Sequence, residues 1–257
     1  MHPELFYNPG FCIACGRCVE VCPATAHTIE VGHAFDRSGC VLCMRCSEAC
    51  PALALEATGK EMSVEQAIAE VEKDRVFYEE SGGGITLSGG EPMVQFEFTR
   101  GILAAARSAG IHTCLETSGF GPSERFLELV PLVDLFLWDI KDTDAERHQR
   151  NTGAPLDPIL RNLAVVDQAG GQTILRCIVL NGVNLDESHL DRLGEIHAGL
   201  KHCQGIQLLP YHSLGDSKHD RLGRRRHCNA GWTPSEDQMA CARAHLQEKW
   251  TSACPDT

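Results

Sequence analysis

Two stretches, "CIACGRCVEVCP" at residues 12–23 and "CVLCMRCSEACP" at residues 40–51, spell one pattern twice, C-x-x-C-x-x-C-x-x-x-C-P. Three thiols at consecutive three-residue steps sit on a tight loop that can wrap one corner of a four-iron four-sulfur cubane. The fourth, carried away by a helical turn, reaches a neighbouring cluster. The pair predicts two clusters with crossed ligation: Cys12, Cys15, Cys18 and Cys50 on one, Cys40, Cys43, Cys46 and Cys22 on the other. Structural zinc sites also use C-x-x-C, but as two separated pairs, so the spacing favours iron and sulfide. The pattern recurs 28 residues on, from Cys12 to Cys40, and occurs twice, which marks a module and not a solenoid. Such clusters move one electron at a time and carry no substrate chemistry of their own. Something else in the chain must use the electrons.

The remainder is large enough to do so. A chain of 257 residues with 43% hydrophobic content can bury a sizeable core. Acidic residues outnumber Lys and Arg by 35 to 23, and the net charge of −12 opposes a broad affinity for nucleic-acid backbones. The run Arg224, Arg225, Arg226 reads as a solvated face. No apolar run approaches the roughly eighteen residues needed to span a bilayer, and "MHPELFYNPG" has neither a basic nor an apolar leader region. The expectation is a cytoplasmic protein with no membrane or nucleic-acid partner. In a reducing compartment, 14 cysteines point to metal ligation or redox chemistry rather than a disulfide framework.

The sequence divides into a cysteine-rich domain over 8–58 and a larger one over 60–257. The larger part opens on a capping box, Ser63 with Gln66, ahead of apolar residues in helical rhythm. Strand-like runs then alternate with helices: "GITLS" at 84–88, "HTCLETS" at 112–118, "DLFLWDIK" at 134–141, "TILRCIVL" at 173–180 and "GIQLLPYH" at 205–212, with a last helix from about Ser235. This alternation predicts an α/β fold of parallel strands joined by crossover helices, and about five strands are too few for a closed eight-stranded barrel. In such folds ligands sit at the C-terminal strand ends, and polar residues converge there: Gly89, Gly90 and Glu91, then Glu116 and Thr117, Asp139 and Lys141, and finally Tyr211 and His212.

Each has a plainer reading. Asp139 and Lys141 make an ordinary rim ion pair, His212 a satisfied structural histidine, and Thr117 or Glu116 a helix cap. Arg176, inside an apolar strand, either pairs with an acidic neighbour or binds a ligand, since a buried guanidinium is costly alone. Cys114 and Cys177 read as small packing residues, and Cys203, Cys228, Cys241 and Cys254 show no ligand spacing.

Taken together, "HPELFYNPGFCIACGRC", "TLSGGEP", "LETSG", "LWDIKDTDAERHQRNTG", "ILRCIVLNGVN" and "LPYHSLGDSKHDRLG" resemble the radical S-adenosylmethionine (SAM) enzymes. Within them they resemble the glycyl-radical-enzyme activating enzymes that carry an insertion similar to a bacterial two-cluster ferredoxin. The resemblance covers nearly the whole chain. It implies a partial (βα) barrel of the radical SAM type with a small inserted ferredoxin-like α+β module. Gly89, Gly90 and Glu91 would hold the methionine ammonium of SAM, since glycine lets a backbone edge approach a donor-only group. Glu116, Thr117 and Asp139 match positions near the methionine carboxylate and a monovalent cation, and Lys141, Arg176 and His212 match positions touching the rest of the cofactor.

The implied reaction is reductive cleavage of SAM to a 5'-deoxyadenosyl radical that takes hydrogen from a backbone glycine of a partner glycyl radical enzyme. A flavodoxin or ferredoxin-type donor would supply the electrons. The resemblance implies no particular catalytic side chain. That reaction needs a third cluster on a C-x-x-x-C-x-x-C motif, and no such motif stands in the sequence. The simplest account places the first strand and its cysteine loop upstream of Met1, and without them the radical-generating step is expected to be missing. The competing reading is a catalytically silent ferredoxin-like electron-transfer or binding protein with a barrel remnant.

Overall fold

The computed structural model describes residues 3–224 and 229–250. They fall into two compact units, one made of the chain up to Glu61 with His212–Asn229, the other of Met62–Tyr211 with the chain from Ala230 onward.

In the first unit, β1 (Glu4–Tyr7) pairs antiparallel with β4 (Leu55–Thr58), and the short strands β2 (His27–Thr28) and β3 (Ala34–Phe35) form a second antiparallel pair. Helices α1 (Arg17–Val21) and α2 (Arg45–Glu48) follow the two cysteine loops. The repeat visible in the sequence is a repeat of backbone shape. Ala14, Gly16 and Thr25 adopt positive φ of 51°, 80° and 50°, and their equivalents Leu42, Met44 and Leu53 adopt 53°, 59° and 51°. Non-glycine residues take the left-handed region at a cost, so surrounding constraints must hold it. Here it turns each loop inward around its thiols. Leu5, Leu55 and Cys46 form the small buried core beneath them.

The second unit is built on a five-stranded parallel sheet whose strands stand in chain order: β5 (Gly84–Leu87), β6 (His112–Thr117), β7 (Leu135–Asp139), β8 (Thr173–Val179) and β9 (Cys203–Pro210). Helices α3 (Val64–Val71) and α4 (Arg75–Ser81) precede the sheet. Helices α5 (Phe96–Ser108), α6 (Ser123–Leu129), α7 (Ala145–Thr152), α8 (Asp157–Gln168) and α9 (Glu187–Ala198) lie between its strands in sequence. Ser63 and Gln66 form the expected capping box of α3. Phe126, Phe136, Trp138, Leu103 and Leu175 are fully buried at the centre of the core.

Helix α10 (Asp216–Arg221) belongs to the first unit, and α11 (Glu236–Lys249), capped by Ser235 and Gln238, to the second. The sequence-drawn boundaries at 58 and 60 therefore miss one return of the chain. The reason is side-chain chemistry across long separations: Arg37 donates Nη1 to the Leu5 carbonyl at 2.8 Å and Nη2 to the Arg221 carbonyl. Arg221 pairs with Glu56 at 2.6 Å and stacks over Phe6. In the basic run, Arg224 pairs with Glu4, while Arg225 and Arg226 lie outside the described residues.

Candidate functional site

The C-terminal ends of β5, β6 and β7 open onto one cleft of about 700 Å³. Gly89, Gly90, Glu91, Glu116, Thr117, Asp139 and Lys141 all line it, as the strand-end argument expects. Gly89 has φ +136°, and a Cβ at Gly89 or Gly90 would meet nothing within 4 Å. The turn is a bare stretch of backbone on open space, which side chains would fill.

The Glu91 carboxylate joins two loops. It accepts four hydrogen bonds: from Met93 N–H at 3.2 Å, Thr117 Oγ1 at 2.8 Å, Ser118 N–H at 2.9 Å and Ser118 Oγ at 2.6 Å. A carboxylate has about four lone-pair sites, so this one is saturated by the two loops it joins. Ser118, absent from the sequence-derived set, stands in the quoted "LETSG" and was recognisable there only by position. Gly119 follows at φ +75°, where a Cβ would lie 2.3 Å from the Trp138 ring. Asn162, buried, holds this loop by donating to the carbonyls of Gly119 and Gly121, each at 2.8 Å.

Arg176 pairs with Glu116 at 2.8 Å, and its Nε is buried with no partner among the described residues. Lys141 pairs with Asp139 at 3.1 Å. Both ion-pair readings made from the sequence hold, and both pairs put cation beside anion at the rim. His212 belongs to the first unit, so the cleft's own lining does not include it. His148, another residue the sequence did not single out, lines the cleft with its Nδ1 2.8 Å from the Ala154 carbonyl.

Behind β8 lies a group that looks catalytic. Cys177 Sγ is 3.1 Å from His189 Nε2, and His189 Nδ1 accepts from Thr143 N–H at 3.2 Å. Arg147 clamps Asp142 and Asp186. Burial pushes the Cys177 thiol well above its usual range and the His189 ring down to about 4. A thiol held in its neutral form with no solvent access is structural, and the group fastens the loop after β7. Cys114 is likewise buried. Cys228 and Cys254 fall outside the described residues.

In the first unit Cys12, Cys15 and Cys18 of one motif and Cys50 of the other line a single cavity. Burial pushes the Cys46 thiol up to about 11, with Cys40, Cys22 and Cys43 adding to the shift as neighbouring charges. Both sets mix three thiols of one motif with the fourth of the other. Sulfurs so gathered resist ionisation unless cations neutralise them, which cluster iron does, so the residues fit the group. The backbone supplies N–H···S bonds, Ala26 to Cys22 at 3.3 Å and Leu42 to Cys40 at 3.4 Å. Beside the first set, His33 Nε2 lies 3.5 Å from Cys18 Sγ and 3.0 Å from His27 Nδ1. Among the described residues, no cysteine lines the cleft of the second unit.

Sheet, cleft and cysteine loops together define a radical SAM enzyme with an iron–sulfur module. Residues 37–193 match the Radical SAM superfamily and residues 5–26 the 4Fe-4S binding domain. The chain is 39% identical over 240 residues to the trans-4-hydroxy-L-proline dehydratase activating enzyme of Clostridioides difficile, covering 92% of this chain and 79% of that one. It is 40% identical over 227 residues to the choline trimethylamine-lyase activating enzyme of Oleidesulfovibrio alaskensis, covering 86% and 73%. The benzylsuccinate synthase activating enzyme of Thauera aromatica is 37% identical over 254 residues, covering 94% and 76%. Among solved structures, a domain of the pyruvate-formate lyase-activating enzyme from Bacteroides vulgatus superposes with a TM-score of 0.56 at 29% identity, covering 67% of this chain and 98% of that one. The chain belongs to the glycyl-radical-enzyme activating enzymes of the radical SAM superfamily.

No helix among the described residues is long and apolar enough to cross a membrane.

Proposed function

We propose that the cleft over β5, β6 and β7 seats SAM, and that the eight motif cysteines hold two four-iron clusters with crossed ligation. The observation that carries the first part is the Gly89–Gly90 turn, open backbone at a strand end with carboxylates and cations around it. An ammonium has only donors, and the free acceptors of this turn are its carbonyls, because Glu91 is already saturated. Glu91 therefore positions the turn. Lys141 and Arg176, each paired to a carboxylate, supply point and planar charge for the carboxylate end of the ligand. Glu116, Thr117 and Asp139 offer oxygens for a monovalent cation.

Once cleaved reductively by one electron from an adjoining iron–sulfur cluster, SAM would supply the chemistry of hydrogen abstraction from a backbone glycine of the partner enzyme. This chain's residues orient the ligand and keep water from it. One-electron clusters of low potential suit a flavodoxin or ferredoxin-type donor. The named relatives are activating enzymes of a dehydratase, a lyase and a synthase, and the partner of this chain is a member of the same broad class of glycyl radical enzymes.

Equilibrium binding of SAM to the wild type and to Gly90→Val tests the cleft. The valine methyls would occupy the open cradle, so affinity should fall at least about tenfold, about 1.4 kcal/mol, with the circular dichroism spectrum unchanged. Equal affinity in the two proteins would place the cofactor elsewhere.

A further inference from the structure

We propose that His33 donates its Nε2–H to Cys18 Sγ and thereby raises the reduction potential of the cluster held by Cys12, Cys15, Cys18 and Cys50. The inference rests on the ligand reading given above.

Three observations carry it. The ring nitrogen lies 3.5 Å from the sulfur, inside the range of an N–H···S bond. Tyr7 packs edge-on against the imidazole at a centroid distance of 4.6 Å, and His27 stacks on it at 5.1 Å, so its orientation is held from two sides. His33 Nδ1 is buried with no partner among the described residues. An imidazole ring carries at least one proton. A proton on Nδ1 would be an orphaned buried donor, whereas on Nε2 it meets a thiolate. His27 Nδ1, 3.0 Å away, shares that proton as a second acceptor.

The consequence is electrostatic. Reduction adds one negative charge to a cluster whose thiolates are already anionic, and a hydrogen bond to a ligand sulfur stabilises the more negative state. The same effect orients Cys18, since a donor fixed by Tyr7 and His27 points at one lone-pair direction of the sulfur. The donor is a side chain, so it can be removed without altering the backbone N–H···S bonds at Cys22 and Cys40, which belong to the other cluster.

Redox titration of the reconstituted full chain, monitored by electron paramagnetic resonance, provides the test. In His33→Phe the reduction equilibrium of one cluster should become about tenfold less favourable, a fall of about 59 mV, with the other cluster unmoved. His33→Gln, which returns an N–H near the same place, should recover most of the shift. Unchanged potentials in both variants, or equal shifts in both, would overturn the proposal. If His33→Phe takes up no cluster, pulsed resonance on wild-type protein with 15N-labelled histidine decides alone. A 15N coupling to the reduced cluster is expected, and its absence overturns the assignment. Failure of the ligand reading looks different, because wild-type iron would then fall short of roughly eight per chain.

Discussion

Thr117 donates its hydroxyl to the Glu91 carboxylate at 2.8 Å, joining the end of β6 to the turn that follows β5. With Ser118 completing the clasp, two strand ends separated by a whole helix become one rigid lip of the cleft.

Replacing Glu91 by alanine should remove that lip. Thr117, Ser118 and the Met93 amide each lose an acceptor, at about 1–3 kcal/mol for a partly buried group left unpaired. Thermal unfolding should therefore begin earlier, and SAM titration calorimetry should show heat near background. Glu91→Gln, which keeps one acceptor oxygen, should fall between the two proteins in both measurements.

Gly119→Ala tests the backbone of the neighbouring loop. At φ +75° an alanine pays about 1–2 kcal/mol for the left-handed conformation, and contact of its Cβ with Trp138 at 2.3 Å adds about 1–3 kcal/mol of overpacking. The midpoint of urea denaturation should drop by the corresponding amount with little change in slope. A wild-type midpoint would mean that the loop relaxes freely.

His189 gives the stability a pH dependence of known sign. Burial depresses its pKa from 6.5 to about 4, against the pull of Asp142 and with Arg147 reinforcing it. Below pH 6.5 the unfolded chain takes up a proton that the native ring refuses, so its contribution is complete above pH 6.5 and is lost as pH falls towards 4. That contribution is on the order of 3 kcal/mol. Denaturation curves across this window should be steeper in pH for wild type than for His189→Leu. Parallel curves would show that the carboxylates alone govern the slope.

Crossed ligation predicts which irons go together. Cys50→Ala should cost about four irons per chain and leave one reducible cluster, and Cys22→Ala should remove the other. Spectra compared with those of Cys12→Ala and Cys40→Ala distinguish the pattern: Cys50→Ala should keep the same cluster as Cys12→Ala, and a match to Cys40→Ala instead would contradict the crossing that the cavity around Cys12, Cys15, Cys18 and Cys50 supports.

How far the sequence led depends on how far apart the interacting residues stand. The ferredoxin-like segment was legible because its information is local: four thiols and a proline at fixed steps, whose left-handed loop positions recur at the same spacing. The five strands were legible through alternation, with most ends off by one or two residues where side chains rather than hydrophobicity terminate the run, as at Asp139 and Pro210. The hydrogen-bond partners of Glu91 were not legible. Its four donors come from its own turn and from Thr117 and Ser118, 26 and 27 residues on, and no periodicity encodes which carboxylate oxygen meets which hydroxyl.

The sequence by itself determined that this chain binds iron–sulfur clusters, builds a parallel α/β sheet and carries a glycine turn and polar residues at the strand ends. These follow from spacing and pattern, which act through covalent geometry over a few residues. Only the tertiary structure decided that Arg176 faces Glu116, that His33 stands beside Cys18, and that His212–Asn229 joins the first unit. Those outcomes depend on directional hydrogen bonds and ion pairs between distant segments, whose angstrom-scale distances exist only after the hydrophobic core has brought the segments together.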